Sequence, residues 1–436
     1  MTPRPDGGGP TRILITHFYS RTNKGDAALA SVLISELRRQ FGDPELSLLT
    51  PDRTEPGETF EGVPLESNFA YLSSFRFTKK VHKLGYAIAL VFSTVVFCLA
   101  RRRLRIDLWL PTDLRKVVQR YADADLVIPV GGGYMGGGRT VNSIFNTVLT
   151  LHPLVLAWLL GKPTVVFSQS FGPYKYRIER LLVRWVLNTC VILTLVREDE
   201  SMAFLHGIGV PDPVRSVDSG FLLDSGDASA DLRSRFGLPA DQLLIGVTGR
   251  HWLDPDPQDR YESAVAQTID HLCEHHDAHI VFVPQVTAAF FDDDDRVANR
   301  SIADRTVHRD RVHVLEDELD PHEVKAVIED IDLMIGTRFH SIIFSLTSYV
   351  PAVAIQYNHK ASGIMSDLDL GDWLIMIDQV TEPALTALCE RLIAEAPSYR
   401  KHLRAVIPPY QEEARRAVVL AQDAFDWFVR RDPGPG

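Results

Sequence analysis

Cysteine is scarce in this chain: Cys98, Cys190, Cys273 and Cys389 are scattered through 436 residues with no CxxC pair. That spacing excludes a zinc-knuckle or dithiol framework and fits a reducing compartment, with each thiol a small apolar filler. Positive charge is short as well. Against 57 Asp and Glu there are 46 Lys and Arg, a net charge of −11. Nucleic acid is therefore not expected as the main partner, because phosphate binding needs a basic face. The opening MTPRPDGGGP lacks the apolar h-region of a secretory signal, and no GK[ST] of a P-loop occurs. Cytoplasm is the expected location.

Long apolar runs are rare too, with one exception. Leu84 to Ala100 (LGYAIALVFSTVVFCLA) carries no charge, with Lys79, Lys80 and Lys83 before it and Arg101, Arg102, Arg103 and Arg105 after it. Its 17 residues reach only the lower bound of about 17–25 for a membrane span. A span would separate residues 1–80 from 106–436, which the strand pattern below places in one sheet. Two readings of 79–105 stay open: a helix packed on the core, or a helix lying in the membrane interface with its basic flanks on anionic lipid. Cationic flanks on both sides favour the second, which would make the protein peripheral on the inner face of the membrane.

What is plentiful is alternation of short apolar runs with helical patterns. RILITHF, ELSLLT, DLVIPVGG, PTVVFSQS and VILTLVR mark strands in the first half; LLIGVTGR, HIVFVPQV, RVHVLED, DLMIGTRFH and AVAIQY mark the second. Continuous rather than alternating hydrophobicity predicts parallel strands covered on both faces. The expected fold is α/β, two Rossmann-like doubly wound domains over 11–218 and 243–428, joined by a Gly/Ser/Asp/Ala-rich linker at 219–242. Residues 1–10 and 429–436 read as disordered tails.

Ligands of such sheets lie beyond the carboxyl ends of strands, so strand-end residues carry the functional reading. Gly131-Gly132-Gly133 follow DLVIPV and bring backbone close either to a ligand or to a neighbouring turn. Asn23-Lys24-Gly25-Asp26 opens a helix; Asp26 is a plain N-cap, or a group that binds or deprotonates an acceptor hydroxyl. Ser170-Phe171-Gly172-Pro173 closes a strand as a turn or a rigid pocket wall. Arg197 ends VILTLVR and is either an anion clamp or a salt-bridge partner of the acids that follow. Arg338 and His340 end DLMIGTRFH ahead of a helix start near Ser341; if the strand persists, both project to one side. With that helix N-terminus, and Lys360 after the next strand, they would suit a phosphate or carboxylate. HLCEHHDAH (271–279) reads as a polar helix end rather than a metal site, and Asp292 to Asp295 as a solvated loop.

In order, NKGDAAL, the GGG of VIPVGGG, SFGP, VREDES, VDSGF and TRFHSIIFS followed by VPAVAIQYNHKASG resemble the polysaccharide pyruvyl transferase family, over residues 12 to about 370. The resemblance implies a GT-B-like fold with two domains facing a cleft. It also implies transfer of an enolpyruvyl-derived group from phosphoenolpyruvate to two sugar hydroxyls, leaving a cyclic ketal. Donor-site roles fall to Arg197, Arg338, His340 and Lys360, with His340 as general acid; Asp26, with Asp218 behind it, would accept a hydroxyl proton. Gly25, Gly131, Gly132, Gly133, Ser170, Gly172, Asp218 and Tyr357 would line the cleft. Neither metal nor redox cofactor is expected, phosphoenolpyruvate being a co-substrate. The acceptor would be a sugar of a cell-surface polysaccharide or glycolipid, and a lipid-linked one would suit a peripheral enzyme. Three departures from the family pattern stand out: HFYSRTNKGD lacks the usual glycines before its GD, Tyr349 replaces a common Gly before Pro351, and the basic-flanked apolar stretch at 79–105 is an elaboration. A nucleotide-sugar glycosyltransferase of the same fold is the rival; it should present an acid to the donor ribose. A non-catalytic glycan-binding or scaffold protein should have lost the cationic set.

Overall fold

The computed structural model describes residues 9–52, 54–69, 80–138, 142–288, 293–357 and 360–431. Two compact units divide the chain: Met1–Ser20 with Leu29–Ser219 and Glu413–Gly436, and Arg21–Ala28 with Gly220–Glu412.

The first unit is built on β1 (Arg12–Thr16), α1 (Lys24–Phe41), β2 (Glu45–Thr50), β3 (Thr59–Phe60), β4 (Val63–Ser67), α2 (Lys80–Leu104), α3 (Thr112–Asp123), β5 (Leu126–Pro129), β6 (Gly132–Met135), α4 (Asn142–Leu159), β7 (Val165–Phe171), α5 (Arg177–Cys190), β8 (Leu193–Val196), α6 (Asp199–Gly207) and β9 (Val214–Arg215). Parallel strands run β4-β2-β1-β5, and a parallel bridge from Val127 to Thr164 continues the sheet into β7-β8-β9. β1, β5 and β7 bury nearly every side chain, which is why their sequences are apolar without alternation. One core cluster gathers Leu14, Val127, Tyr121 and Phe97; another joins Leu154, Val166, Val186 and Leu205 across α4, β7, α5 and α6.

The second unit contains α7 (Leu232–Phe236), β10 (Leu244–Thr248), α8 (Pro255–His276), β11 (His279–Phe282), β12 (Thr287–Ala288), β13 (Asp293–Asp294), α9 (Asp295–Arg305), β14 (Val312–Val314), α10 (Pro321–Glu329), β15 (Leu333–Gly336), α11 (Phe339–Thr347), β16 (Ala352–Gln356), α12 (Lys360–Asp367), β17 (Leu374–Met376) and α13 (Glu382–Arg431). Its parallel sheet has the order β14-β11-β10-β15-β16-β17. The chain thus winds outward from β10 to one edge and returns to β10's other side, leaving a switch point between β10 and β15.

Boundaries differ from the sequence-based division in three ways. Residues 21–28, the start of α1, belong with the second unit, and 413–436 return to the first. The segment 219–242 is no loose linker: Leu232 is buried, its N–H donates to Asp330, and Arg233 pairs with Asp332 at 2.8 Å. α13 is helical to Arg431, so 429–431 are not tail; 1–8 and 432–436 lie outside the described residues.

Candidate active site

At the switch point of the second unit, Thr248 at the end of β10 accepts from the N–H groups of Thr337 (2.8 Å) and Arg338 (3.3 Å), locking the ends of β10 and β15 together. β15 stops at Gly336, earlier than expected. Arg338 is therefore the extended N-cap of α11 (φ −87°, ψ 132°), and His340 stands in the first helical turn rather than on a strand beside it.

Arg338 is buried and committed. Its Nε donates to both Asp295 oxygens at 2.9 and 3.1 Å, and Nη2 to Asp293 at 2.5 Å. Burial alone would weaken its charge, but Asp295 and Asp293 more than offset that and hold its pKa above the ordinary value. Asp295, 1 % exposed, also accepts from the Gln285 and Val286 N–H groups at 3.0 and 2.9 Å. The expected solvated loop at 292–295 is thus a correction: at Asp295 it is a buried brace for the strand-end arginine, and Asp292 lies outside the described residues.

Arg250, two residues past β10, was not singled out from sequence. Its guanidinium sits over the rings of Tyr357 (4.1 Å) and Trp252 (4.4 Å). Among the described residues it makes no ion pair, and its buried Nε has no hydrogen-bond partner. Burial, and then the neighbouring Arg338, push its pKa down. Close by in the sheet, the buried side-chain amide of Gln285 after β11 and the Gln356 carbonyl ending β16 also lack partners among the described residues. Buried polar atoms are normally hydrogen-bonded to protein or to ordered water, so such a set at neighbouring strand ends is where water or a polar ligand can be held. The available signal was the Arg closing LLIGVTGR, the same signature that drew attention to Arg197 and Arg338.

The NKGD segment joins this cluster by backbone. The Lys24 N–H donates to the Gln285 carbonyl (2.8 Å) and Thr287 N–H to the Thr22 carbonyl (2.9 Å). Asn23, not Asp26, caps α1: its Oδ1 accepts from Asp26 N–H (3.3 Å) while its amide donates to the Asp26 carboxylate (2.8 Å). Lys24 is buried and pairs with Glu318 at 2.5 Å. Gly25 lies against His340 so closely that a Cβ there would overlap the imidazole ring. Tyr357 is in place beneath Arg250. Lys360 begins α12 after β16, and its side chain lies outside the described residues.

The other predicted residues belong to the first unit. Arg197 is fully buried, donates to Ser170 Oγ at 2.7 Å and pairs with Asp218, with Glu198 at 3.5 Å. Ser170, Arg197 and Asp218 therefore come together as one network, in which the ion pair of Arg197 runs mainly to the distant Asp218 rather than to the acids that follow it in sequence. Gly172 has φ +68° and lies against Phe204. Gly131 is tightly packed, an added Cβ lying 3.0 Å from the Ser168 carbonyl oxygen; Gly132 and Gly133 begin β6. His17, also missed, follows β1 at this unit's switch point with φ +62°, stacked on Tyr134 at 4.9 Å. It lines an apolar cavity of about 240 Å³. His271 and His276 both bond Glu390, at 2.7 and 2.8 Å.

A model of the polysaccharide pyruvyl transferase family matches residues 23–359. The amylovoran biosynthesis protein AmsJ of Erwinia amylovora is 24 % identical over 391 residues, 86 % of this chain and 90 % of that protein. Among solved structures, a candidate UDP-N-acetylglucosamine 2-epimerase from Listeria monocytogenes aligns with a TM-score of 0.61 at 13 % identity, covering 96 % of this chain and 97 % of the other. Anabaena HepE, solved with UDP, aligns at 0.56 and 13 % identity, covering 95 % and 100 %. These likenesses establish a GT-B-like α/β fold.

Proposed function

We propose, from the premise that the chain belongs to the polysaccharide pyruvyl transferase family, that it transfers the enolpyruvyl-derived group of phosphoenolpyruvate to two hydroxyls of a glycan, forming a cyclic ketal. The observation that carries this reading is Arg250: a guanidinium with no ion pair among the described residues, beside Arg338 and among buried unpartnered amides at a switch point. Phosphoenolpyruvate brings a carboxylate and a phosphate, so it needs fixed cations and polar donors. Arg250 supplies the uncommitted charge, the N-terminus of α11 a favourable dipole end, and Lys360 a further cation from the start of α12. Arg338, neutralised by Asp295, acts mainly by holding α11 and the β12–β13 hairpin in place.

Chemically, His340 protonates the enol methylene, giving an oxocarbenium-like centre at C2. One sugar hydroxyl adds there, the C–O bond to phosphate breaks, and the second hydroxyl closes the ring. Of the two hydroxyl protons released, one balances that taken up by the new methyl group and the other leaves on phosphate. Asp26, held at the start of α1 by Asn23, is the carboxylate assigned to the acceptor hydroxyl. Both this chemistry and the amylovoran biosynthesis relative suit a polysaccharide acceptor made in the cytoplasm, and a lipid-linked saccharide would place the reaction at a membrane.

Phosphoenolpyruvate at about 100 times its Kd should stabilise the protein by about 2.7 kcal/mol, a Tm rise of roughly 5–11 °C for a unit of this size. Arg250→Met should abolish the rise, and Arg197→Ala and Lys360→Ala are read in the same assay. His340→Ala should keep donor binding and lose turnover, followed by mass spectrometry of glycans for an added pyruvate ketal. Trp252, 48 % exposed beside Arg250 and Tyr357, would equally stack a nucleobase, which keeps the glycosyltransferase reading as the rival. Stabilisation by a UDP-sugar and not by phosphoenolpyruvate would establish that rival instead.

A further inference from the structure

Helix α2 has two apolar faces. Ala87, Leu90, Thr94, Phe97 and Cys98 point inward and are buried. Ile88, Phe92 and Leu99 lie together on the opposite face at helical spacing and are exposed, Phe92 to 70 %. Core packing accounts for the inner face alone. From Leu104 at the end of the helix the exposure continues through Ile106 and Leu108 to Trp109, 84 % exposed.

The same pattern recurs on α5. Ile178, Leu181 and Trp185 form an exposed stripe, bordered by the exposed Arg177, Arg180 and Arg184. α2 and α5 both pack on α4, and a single residue of α4 links their outer faces. The Arg102 guanidinium lies 5.3 Å over the Trp158 ring and donates to its carbonyl at 2.8 Å, while Trp158 meets Trp185 edge to face at 6.2 Å. Charge on these two helices is one-sided. Together they carry Lys80, Lys83, Arg101, Arg102, Arg103, Arg177, Arg180 and Arg184 against one acid, Glu179, which is buried. In a chain of net charge −11 that is a strong local reversal.

We infer that this flank of the first unit docks on an anionic lipid bilayer. Bulky apolar side chains and tryptophans would enter the headgroup region, and the arginines would meet lipid phosphates. A self-association face would not gain from this excess of arginines, in which the neighbouring acid Asp107 is already paired with Arg101 (3.7 Å) and Arg115 (3.6 Å), since two copies would bring like charges together. The two readings of 79–105 thereby merge: α2 is a core helix on one side and an interfacial helix on the other. The inference does not rest on the donor assignment, which is carried by Arg250 and its neighbours in the second unit.

The test is co-sedimentation of the full chain with vesicles of phosphatidylglycerol and phosphatidylcholine, beside vesicles of phosphatidylcholine alone. Each arginine near an anionic surface contributes about 1 kcal/mol, close to fivefold in partitioning. Binding to the anionic vesicles should therefore be at least tenfold tighter and should weaken with salt. Phe92→Glu with Trp185→Glu should remove it. Arg103→Gln with Arg180→Gln, which leaves the apolar surface intact, should weaken it at least tenfold, with circular dichroism and the phosphoenolpyruvate response unchanged. Equal binding to both vesicle types, no binding, or wild-type binding by properly folded variants would overturn the proposal. So would a dimer in sedimentation velocity that Trp185→Glu dissociates while vesicle binding is absent.

Discussion

Replacing Gly25 by Ala tests the geometry around His340 directly. The backbone at Gly25 is not in the left-handed region, so Ala is conformationally allowed. In the first turn of α1 it should gain a part of the ~1 kcal/mol by which Ala exceeds Gly in helices. What opposes it is the imidazole of His340, which an added Cβ would overlap. Overpacking of this kind costs about 1–3 kcal/mol, leaving a net loss of about 1–2 kcal/mol, or roughly 2–8 °C in the Tm of the second unit. In a His340→Ala background the obstruction is gone, and Gly25→Ala should be neutral or stabilising. The double-mutant cycle, read by denaturant and thermal unfolding, should thus give a coupling of about 1–3 kcal/mol, as for residues in contact. If the ring swings aside instead, the stability change shrinks, but misplacing the proton donor by an ångström should cost on the order of 10²-fold in kcat. Equal stability changes in both backgrounds, together with wild-type kcat in Gly25→Ala, would refute the reasoning.

Asp295→Asn should lower stability by about 3–5 kcal/mol, because it strips the main partner from a buried guanidinium; an unchanged denaturation midpoint would mean Arg338 is held some other way. Acid should destabilise the first unit through two histidines. His17 is held at a pKa of about 4 by burial, partly offset by its bond to the Thr150 carbonyl, and His152 at about 3 by burial. In the unfolded chain both titrate near 6.5. As pH falls below that value the unfolded state takes up protons first, so stability is lost between about pH 6.5 and 4, by about 3 kcal/mol per group at pH 4. His17→Asn, whose side chain tolerates φ +62°, should flatten that limb by the same amount in pH-dependent unfolding; an unaltered profile would count against a neutral His17.

Much of the fold was legible because parallel strands buried on both faces must be apolar throughout: ILIT, LVIP and VVFSQSF announce themselves. The strand-end arginines were legible for the complementary reason, that an ionic residue closing such a run has to find a partner or a ligand. Which of the two it finds was not legible. Arg197 and Arg338, the expected donor cations, are each paired with buried carboxylates, Asp218 and Asp295, lying 21 and 43 residues away. Arg250, passed over, is the one of these three that makes no ion pair among the described residues. Tyr349, read as a departure from a usual glycine, does occupy a left-handed position (φ +56°), so the backbone requirement persists although the residue changed.

By itself, then, the sequence determined the strand and helix alphabet, the two-domain α/β class and the family, because these depend on local hydrophobic pattern and on motifs read in order. Tertiary structure alone decided the pairing of charges and the outward display of a second apolar face on α2. Both depend on which distant side chains share a low-dielectric neighbourhood and which surface is left facing outward, and neither is encoded in any short stretch of the chain.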